Sequence, residues 1–130
     1  MFEFYKSLSM YLSVNLSLYA PIALSGLDSA PNSISIYSMP TASGDRFYDN
    51  ERPRQVMFQI LTKHKEQKMA MDTLEDIANA LERVSFDIVG YRLENCVVYA
   101  EPSYLEKKTN NEYIFTAAFS AVVIKTGGDS

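Results

Sequence analysis

Residues Arg54–Val84, RQVMFQILTKHKEQKMAMDTLEDIANALERV, decide the fold because their apolar pattern changes period halfway along. Three apolar residues stand at every second position of the first part: Val56, Phe58 and Ile60. This alternation predicts a strand over Gln55–Lys63. The second part carries an apolar stripe at helical spacing, made of Ala70, Leu74, Ile77, Leu81 and Val84. The stripe predicts a helix over Glu66–Val84 that packs one face against a sheet.

The sequence on either side predicts one more helix and three more strands. Apolar residues recur every four positions from Phe4 to Leu16, which favours a helix over Phe2–Leu16. Alternation between Met10 and Leu18 keeps a strand open as the alternative. Further alternating stretches predict strands over Ser33–Ser38, Leu93–Ala100 and Tyr113–Lys125. In the second of these strands, Leu93, Val97 and Tyr99 are expected on one face, with Cys96 and Val98 on the other.

These elements predict a single domain over residues 1–130. We expect the α+β class, with a mainly antiparallel four-stranded sheet and two helices packed on one face. Residues 40–54 and 101–111 are predicted to be polar connections, and residues 126–130 a frayed tail. The helix and strand patterns place seven residues in one core cluster: Phe58, Ile60, Leu74, Ile77, Leu81, Phe115 and Phe119.

No catalytic, cofactor-binding or metal-binding residues are predicted. The only histidine, His64, stands between two lysines at a strand-to-helix junction, which is typical of a solvated turn. The only cysteine, Cys96, has β-branched neighbours and is expected to be a buried, inert thiol. A single cysteine cannot form an internal disulfide, which fits a reducing cytoplasm. Because serines interrupt the apolar N-terminal run, neither a signal peptide nor a membrane span is expected.

The middle of the chain differs from the rest in its charge and in its residue types. The formal charge is −4, which argues against a dedicated nucleic-acid binder. Residues 45–68 carry six Lys and Arg against four Asp and Glu, whereas the remainder carries six against twelve. This asymmetry suits head-to-tail contacts between identical subunits, although a solvated loop explains it equally well. The long 40–54 connection mixes arginine with aromatic residues, which are enriched at interface cores. The candidate interface residues are Arg46, Phe47, Tyr48, Arg52 and Arg54.

Part of the chain resembles a phage protein family. The segments Gly44–Tyr48 and Arg54–Lys65, continued through Gln67, Ala70, Thr73–Leu74, Ile77 and Leu81, are similar to a signature of the third small minor capsid protein encoded in the head–tail region of phages of Gram-positive bacteria. Members of that family look like tail terminators of long-tailed phages. The likeness covers about a third of the chain, from Pro40 to Leu81.

The resemblance implies a non-enzymatic virion protein, assembled in the host cytoplasm and placed at the tail and neck. It implies a homo-oligomeric ring, typically a hexamer, at the head-proximal end of the tail tube. The ring would dock on the tail-tube protein, stop tube growth and present its other face to the head-completion or stopper protein. DNA would pass through the lumen without specific recognition. One alternative is a head-completion or stopper protein of the neck, and another is a small cytoplasmic α+β enzyme or ligand-binding domain.

Overall fold

The computed structural model describes residues 2–24, 27, 30–39 and 53–126. This part of the chain forms two helices and one curled, six-stranded mixed sheet that resembles half a barrel. The elements in chain order are α1 (Phe2–Asn15), β1 (Ile22–Ala23), β2 (Ser33–Met39), β3 (Arg54–His64), α2 (Gln67–Leu81), β4 (Arg83–Ile88), β5 (Tyr91–Lys107) and β6 (Tyr113–Lys125). The strand order is β1-β2-β3-β6-β5-β4, in which β1 runs parallel to β2 and the other neighbours are antiparallel.

The predicted four-stranded antiparallel sheet is wrong, although the α+β class holds. β1 was missed because two residues are too few for any apolar period to show, and it is the strand that makes the sheet mixed. The sequence does not predict β4 because Val84 continues the helical stripe. The first residues of β4, Arg83 and Val84, therefore fall within the predicted helix. α2 instead ends at Leu81, since Glu82 adopts an extended backbone and leads into β4.

The predicted helices and the predicted core are confirmed in their main features. α1 is helical over Phe2–Asn15, and its spacing of four buries Phe4, Leu8 and Leu12, which settles the choice against a strand. α2 buries its apolar stripe from Ala70 to Leu81. All seven residues predicted for the core lie in one buried cluster together with residues of α1 and of all six strands. Aromatic contacts from Tyr5 to Phe58 and from Tyr11 to Phe86 hold α1 on the sheet.

The predicted facing of side chains in β5 is wrong, because β5 is not a regular strand. Asn95 has a positive φ of 53°, and the pairing with β6 shifts register between Glu94 and Val97. Such a bulge reverses the alternation of faces on either side of it. Cys96 is therefore buried together with Leu93, whereas Val97 and Tyr99 are exposed.

The predicted polar connection over residues 101–111 is also wrong in its first half. β5 continues through Pro102 to Lys107, and only a short turn separates it from β6. Proline is tolerated in this strand because this stretch lies at an edge of the sheet, where a missing N–H breaks no ladder. β4 pairs only with residues 91–96 of β5, so among the described residues Val97–Lys107 has a strand partner on one side alone.

Candidate interface surfaces

Four of the five interface residues predicted from the sequence, Arg46, Phe47, Tyr48 and Arg52, lie outside the described residues. Arg54 is the first residue of β3 and pairs in register with Val123 of β6. It is more than half buried, and the terminal nitrogens of its guanidinium group are fully buried. Arg54 is thus integrated into the sheet, so that its removal would disturb folding as well as any contact with another molecule.

The first exposed apolar surface is the β5 edge, which we define as Val97–Lys107. Three of its large side chains are about half or more exposed: Tyr99, Tyr104 and Leu105. Tyr104 pairs in register with Phe115 and contacts that ring edge-on, with 5.8 Å between the ring centroids. Register partners share a face, so Tyr104 lies on the face of the sheet that carries α2. Lys107 lies on the same face, with its ammonium group 5.3 Å from the Tyr113 ring.

The β5 edge is poorly suited to continuous pairing with another strand. Its pairing with β6 shifts register three times beyond Val97, and Pro102 lacks a backbone donor. Bulges and proline are the devices that protect edge strands from adding further strands. The edge therefore exposes apolar side chains but not an uninterrupted row of backbone hydrogen-bonding groups.

The second exposed apolar surface is the α1 groove, a depression of about 410 Å³ between α1 and the turn joining β4 to β5. Its lining includes Met10 and Val14 from the helix and Val89 from the turn. Val14 is 82% exposed and Val89 is 71% exposed, although both residues are aliphatic. Contiguous exposed apolar surface of this kind marks contact sites on soluble proteins.

The charges near the α1 groove are of both signs. Asp87 lines the groove and accepts a hydrogen bond of 3.0 Å from Arg92. Glu3 stands one helical turn before Ser7 on the groove side of α1, and its charge contributes to raising the pKa of Tyr91, after burial of that phenol. Arg83 donates a hydrogen bond of 3.3 Å to the hydroxyl of Tyr11, which also lines the groove, so charges of both signs surround it.

A buried ion pair fixes the end of the sheet from which the β5 edge extends. The Lys63 ammonium group lies 3.6 Å from the Glu112 carboxylate, and both side chains are almost fully buried. The Tyr19 hydroxyl donates a hydrogen bond of 2.9 Å to the carbonyl of Lys63, and burial raises the pKa of Tyr19 above its ordinary value. Sequence reasoning missed this pair because Lys63 and Glu112 are 49 positions apart and no local pattern links them.

The contacts of His64 and the burial of Cys96 indicate structural rather than reactive roles for both residues. The backbone N–H of Glu66 donates to Nδ1 of His64 at 2.9 Å, and the imidazole contacts the Tyr19 ring edge-on. His64 therefore shapes the turn into α2 and is more than a solvated turn residue. Cys96 is fully buried, as predicted, and burial together with the charge of Glu82 raises the pKa of its thiol to about 12.

A second depression, of about 480 Å³, lies at the start of α2 and is lined by Gln67, Lys68, Met71, Asp72 and Phe115. Lys68 donates a hydrogen bond of 2.7 Å to Asp72, and this contact raises the pKa of Lys68. Within residues 2–24, 27, 30–39 and 53–126, no group of three or more His, Cys, Asp or Glu side chains is placed to hold a metal ion. No helix in that part of the chain is long and apolar enough to cross a membrane.

The described part of the chain is thus a small α+β domain with exposed apolar patches at separate places. No family model and no curated protein matches the sequence. Seven chains of solved structures match the fold. One of them, which carries no functional name, superposes with a TM-score of 0.58 at 16% identity, over 95% of this chain and 92% of its own length. At this identity the likeness shows the fold alone.

Proposed function

We propose that this chain is a structural subunit of a tailed-phage virion, a tail terminator that assembles as a ring at the head-proximal end of the tail tube. The observation that carries the proposal is the pair of exposed apolar surfaces, the β5 edge and the α1 groove. Exposed apolar surface is costly in water, and a subunit that is buried in an assembly covers it. The resemblance of residues 44–81 to phage minor capsid proteins supports a phage assembly in particular.

In this proposal the two ends of the ring meet different partners. One face binds the last ring of tail-tube protein and stops its growth, and the other binds the head-completion or stopper protein. DNA passes through the lumen without specific recognition, in line with the acidic balance of the chain. The chain itself performs no catalysis, and its place is in the tail and neck of the virion after assembly in the host cytoplasm.

Deletion of the gene from the parent phage, with complementation from a plasmid, tests this function. Electron microscopy of the uncomplemented lysate should show tails of irregular or excessive length that are not joined to heads. Heads that have lost their DNA beside tails of normal length would instead identify a stopper protein of the neck. Normal, infectious particles without the gene would contradict both structural functions and would favour an enzyme or ligand-binding domain.

The predicted interface loop is tested in the same system. A variant with Arg46, Phe47, Tyr48 and Arg52 all changed to Ala should fold with a normal unfolding midpoint and fail to restore tail length or joining. Truncation of a few anchors at an interface typically costs about 2 kcal/mol or more for each. Arg54 is left unchanged here because its guanidinium group is buried in the fold. Full restoration of infectivity by this variant would remove the loop from the interface.

A further inference from the structure

The two halves of β5 differ in how they are held in the sheet. Tyr91–Cys96 pairs with β4 on one side and with β6 on the other, and it buries Leu93 and Cys96. Among the described residues, the β5 edge, Val97–Lys107, pairs with β6 alone, and none of its own residues is buried. The first half is therefore held by two neighbouring strands and by the core, whereas the β5 edge is held by one strand.

The pairing between the β5 edge and β6 is broken into short pieces. The register shifts after Val98, after Ala100 and after Tyr104, so no uninterrupted run of register partners exceeds two residues. On its other side, β6 pairs with β3 from Arg54 to His64 without any shift. If the β5 edge left β6, the continuous pairing with β3 would therefore keep β6 in place.

The β5 edge also contains more residues than the stretch of β6 that it pairs with. Val97 pairs with Ser120 and Lys107 pairs with Tyr113, so the 11 residues 97–107 lie opposite the 8 residues 113–120. The bulges take up the three surplus residues. At roughly 3.3 Å per residue, these residues correspond to about 10 Å of additional strand length. The segment can therefore arch away from β6 without movement of either of its ends.

Both ends of the β5 edge are fixed to the fold. At one end, Cys96 is fully buried. At the other end, the backbone N–H of Lys108 donates a hydrogen bond of 2.8 Å to the carbonyl of Glu112, whose side chain is buried in its ion pair. Between these ends, the exposed Tyr104 ring contacts the buried Phe115 ring edge-on. This ring contact has to break when the segment leaves β6.

We propose that the β5 edge is a strap that lifts from β6 and closes again while the rest of the domain stays folded, and that Tyr104 holds it closed. Lifting exposes the Phe115 ring and the backbone groups of β6 that face β5. An open strand edge of this kind is where an extended segment of another protein can add. The inference concerns the isolated chain and does not depend on the proposed function.

Hydrogen exchange of the purified wild-type chain, followed by NMR, tests the strap without any substitution. The amides of residues 97–107 that bond to β6 should exchange at least about a hundredfold faster than the bonded amides of residues 91–96, because only a local opening is needed. The amides of β6 that bond to β3 should stay protected. Equal protection of the two halves of β5 overturns the proposal.

Removal of the Tyr104 ring should make the strap lift more often. Tyr104→Ala should speed the exchange of residues 97–107 roughly two- to tenfold, the effect of losing one aromatic pair, and leave the exchange of residues 91–96 unchanged. Tyr99→Ala is the matched control, because Tyr99 belongs to the same segment and is 66% exposed. Equal acceleration by the two variants, or equal acceleration in both halves of β5, contradicts the role of Tyr104.

A disulfide across the strap should prevent the lifting. Ser103 and Thr116 are register partners, so the variant Ser103→Cys, Thr116→Cys can form this bridge on oxidation. The bridge should slow the exchange of residues 97–107 at least about tenfold, and reduction should reverse the effect. The control variant Glu94→Cys, Val122→Cys joins register partners in the first half of β5 and should leave that exchange unchanged. Equal slowing by the two bridges, or no slowing by the first, overturns the strap and leaves the proposed function unaffected.

Discussion

The ammonium group of Lys63 and the carboxylate of Glu112 lie 3.6 Å apart with 4% and 5% of their side chains exposed, and they join the end of β3 to the start of β6. This separation is longer than a hydrogen bond, so the contact acts mainly through charge. Two buried charges that neutralise each other give little net stability, but either one alone is strongly unfavourable. The pair therefore fixes the arrangement of this end of the sheet.

Removal of one member of the Lys63–Glu112 pair should therefore destabilise the fold. Lys63→Met is expected to lower the free energy of unfolding by about 3–5 kcal/mol, because Glu112 keeps a buried charge without its counter-ion. The double variant Lys63→Met, Glu112→Gln should lose less than the single one. Urea unfolding measures both, and Lys68→Met is the control, since Lys68 pairs with Asp72 at the exposed surface. Equal shifts for Lys63→Met and Lys68→Met would contradict the buried role.

The core cluster predicts a large effect of a cavity under α2. Leu74 is fully buried between α2 and the sheet, so Leu74→Ala should lower the free energy of unfolding by about 2–5 kcal/mol. Met69→Ala is the comparison, because Met69 is partly exposed on the same helix. Chemical denaturation gives both values, and a difference near zero between the two variants would show that the packing of α2 is wrong.

The thiol of Cys96 should be unreactive in the native protein. Its pKa is raised to about 12, so the reactive thiolate is scarce at pH 8 and becomes common only near pH 12. A thiol reagent at pH 8 should label the chain slowly, and rapidly once denaturant is added. Transfer of the thiol to the exposed neighbouring position, in a Cys96→Ser, Val97→Cys variant, should restore fast labelling without denaturant. Fast labelling of the native wild type would contradict the burial.

The bulge in β5 predicts an unusual preference at Asn95. Its φ of 53° lies in the left-handed region, which glycine and asparagine tolerate and β-branched residues do not. Asn95→Gly should leave the unfolding midpoint unchanged or slightly raised, whereas Asn95→Val should cost about 1–3 kcal/mol. Thermal unfolding of the two variants checks this. A valine variant as stable as the glycine variant would mean that β5 has no bulge at this position.

The elements predicted well from the sequence are those with a long local period. The apolar stripe of α2 and the apolar alternation of β6 each repeat over many residues. Burial of these side chains in the core therefore favours one conformation, a helix for α2 and a strand for β6. The bounds of β6 agree from Tyr113 to Lys125, and α1 follows its spacing of four. At the candidate interface, the sequence indicated residue types, yet four of its five residues lie outside the described part of the chain, and both described apolar surfaces were missed.

By itself, the amino-acid sequence determined the α+β class, the two helices and the seven-residue core, because burial of regularly spaced apolar side chains needs no distant partner to be recognised. Only the tertiary structure decided the parallel pairing of β1 with β2, the start of β4 directly after Leu81, the bulge at Asn95 and the pairing of Lys63 with Glu112. Each of these depends on a hydrogen-bonding or charged partner that the fold brings in from elsewhere in the chain. A local stretch of sequence therefore does not contain the interactions that stabilise these features.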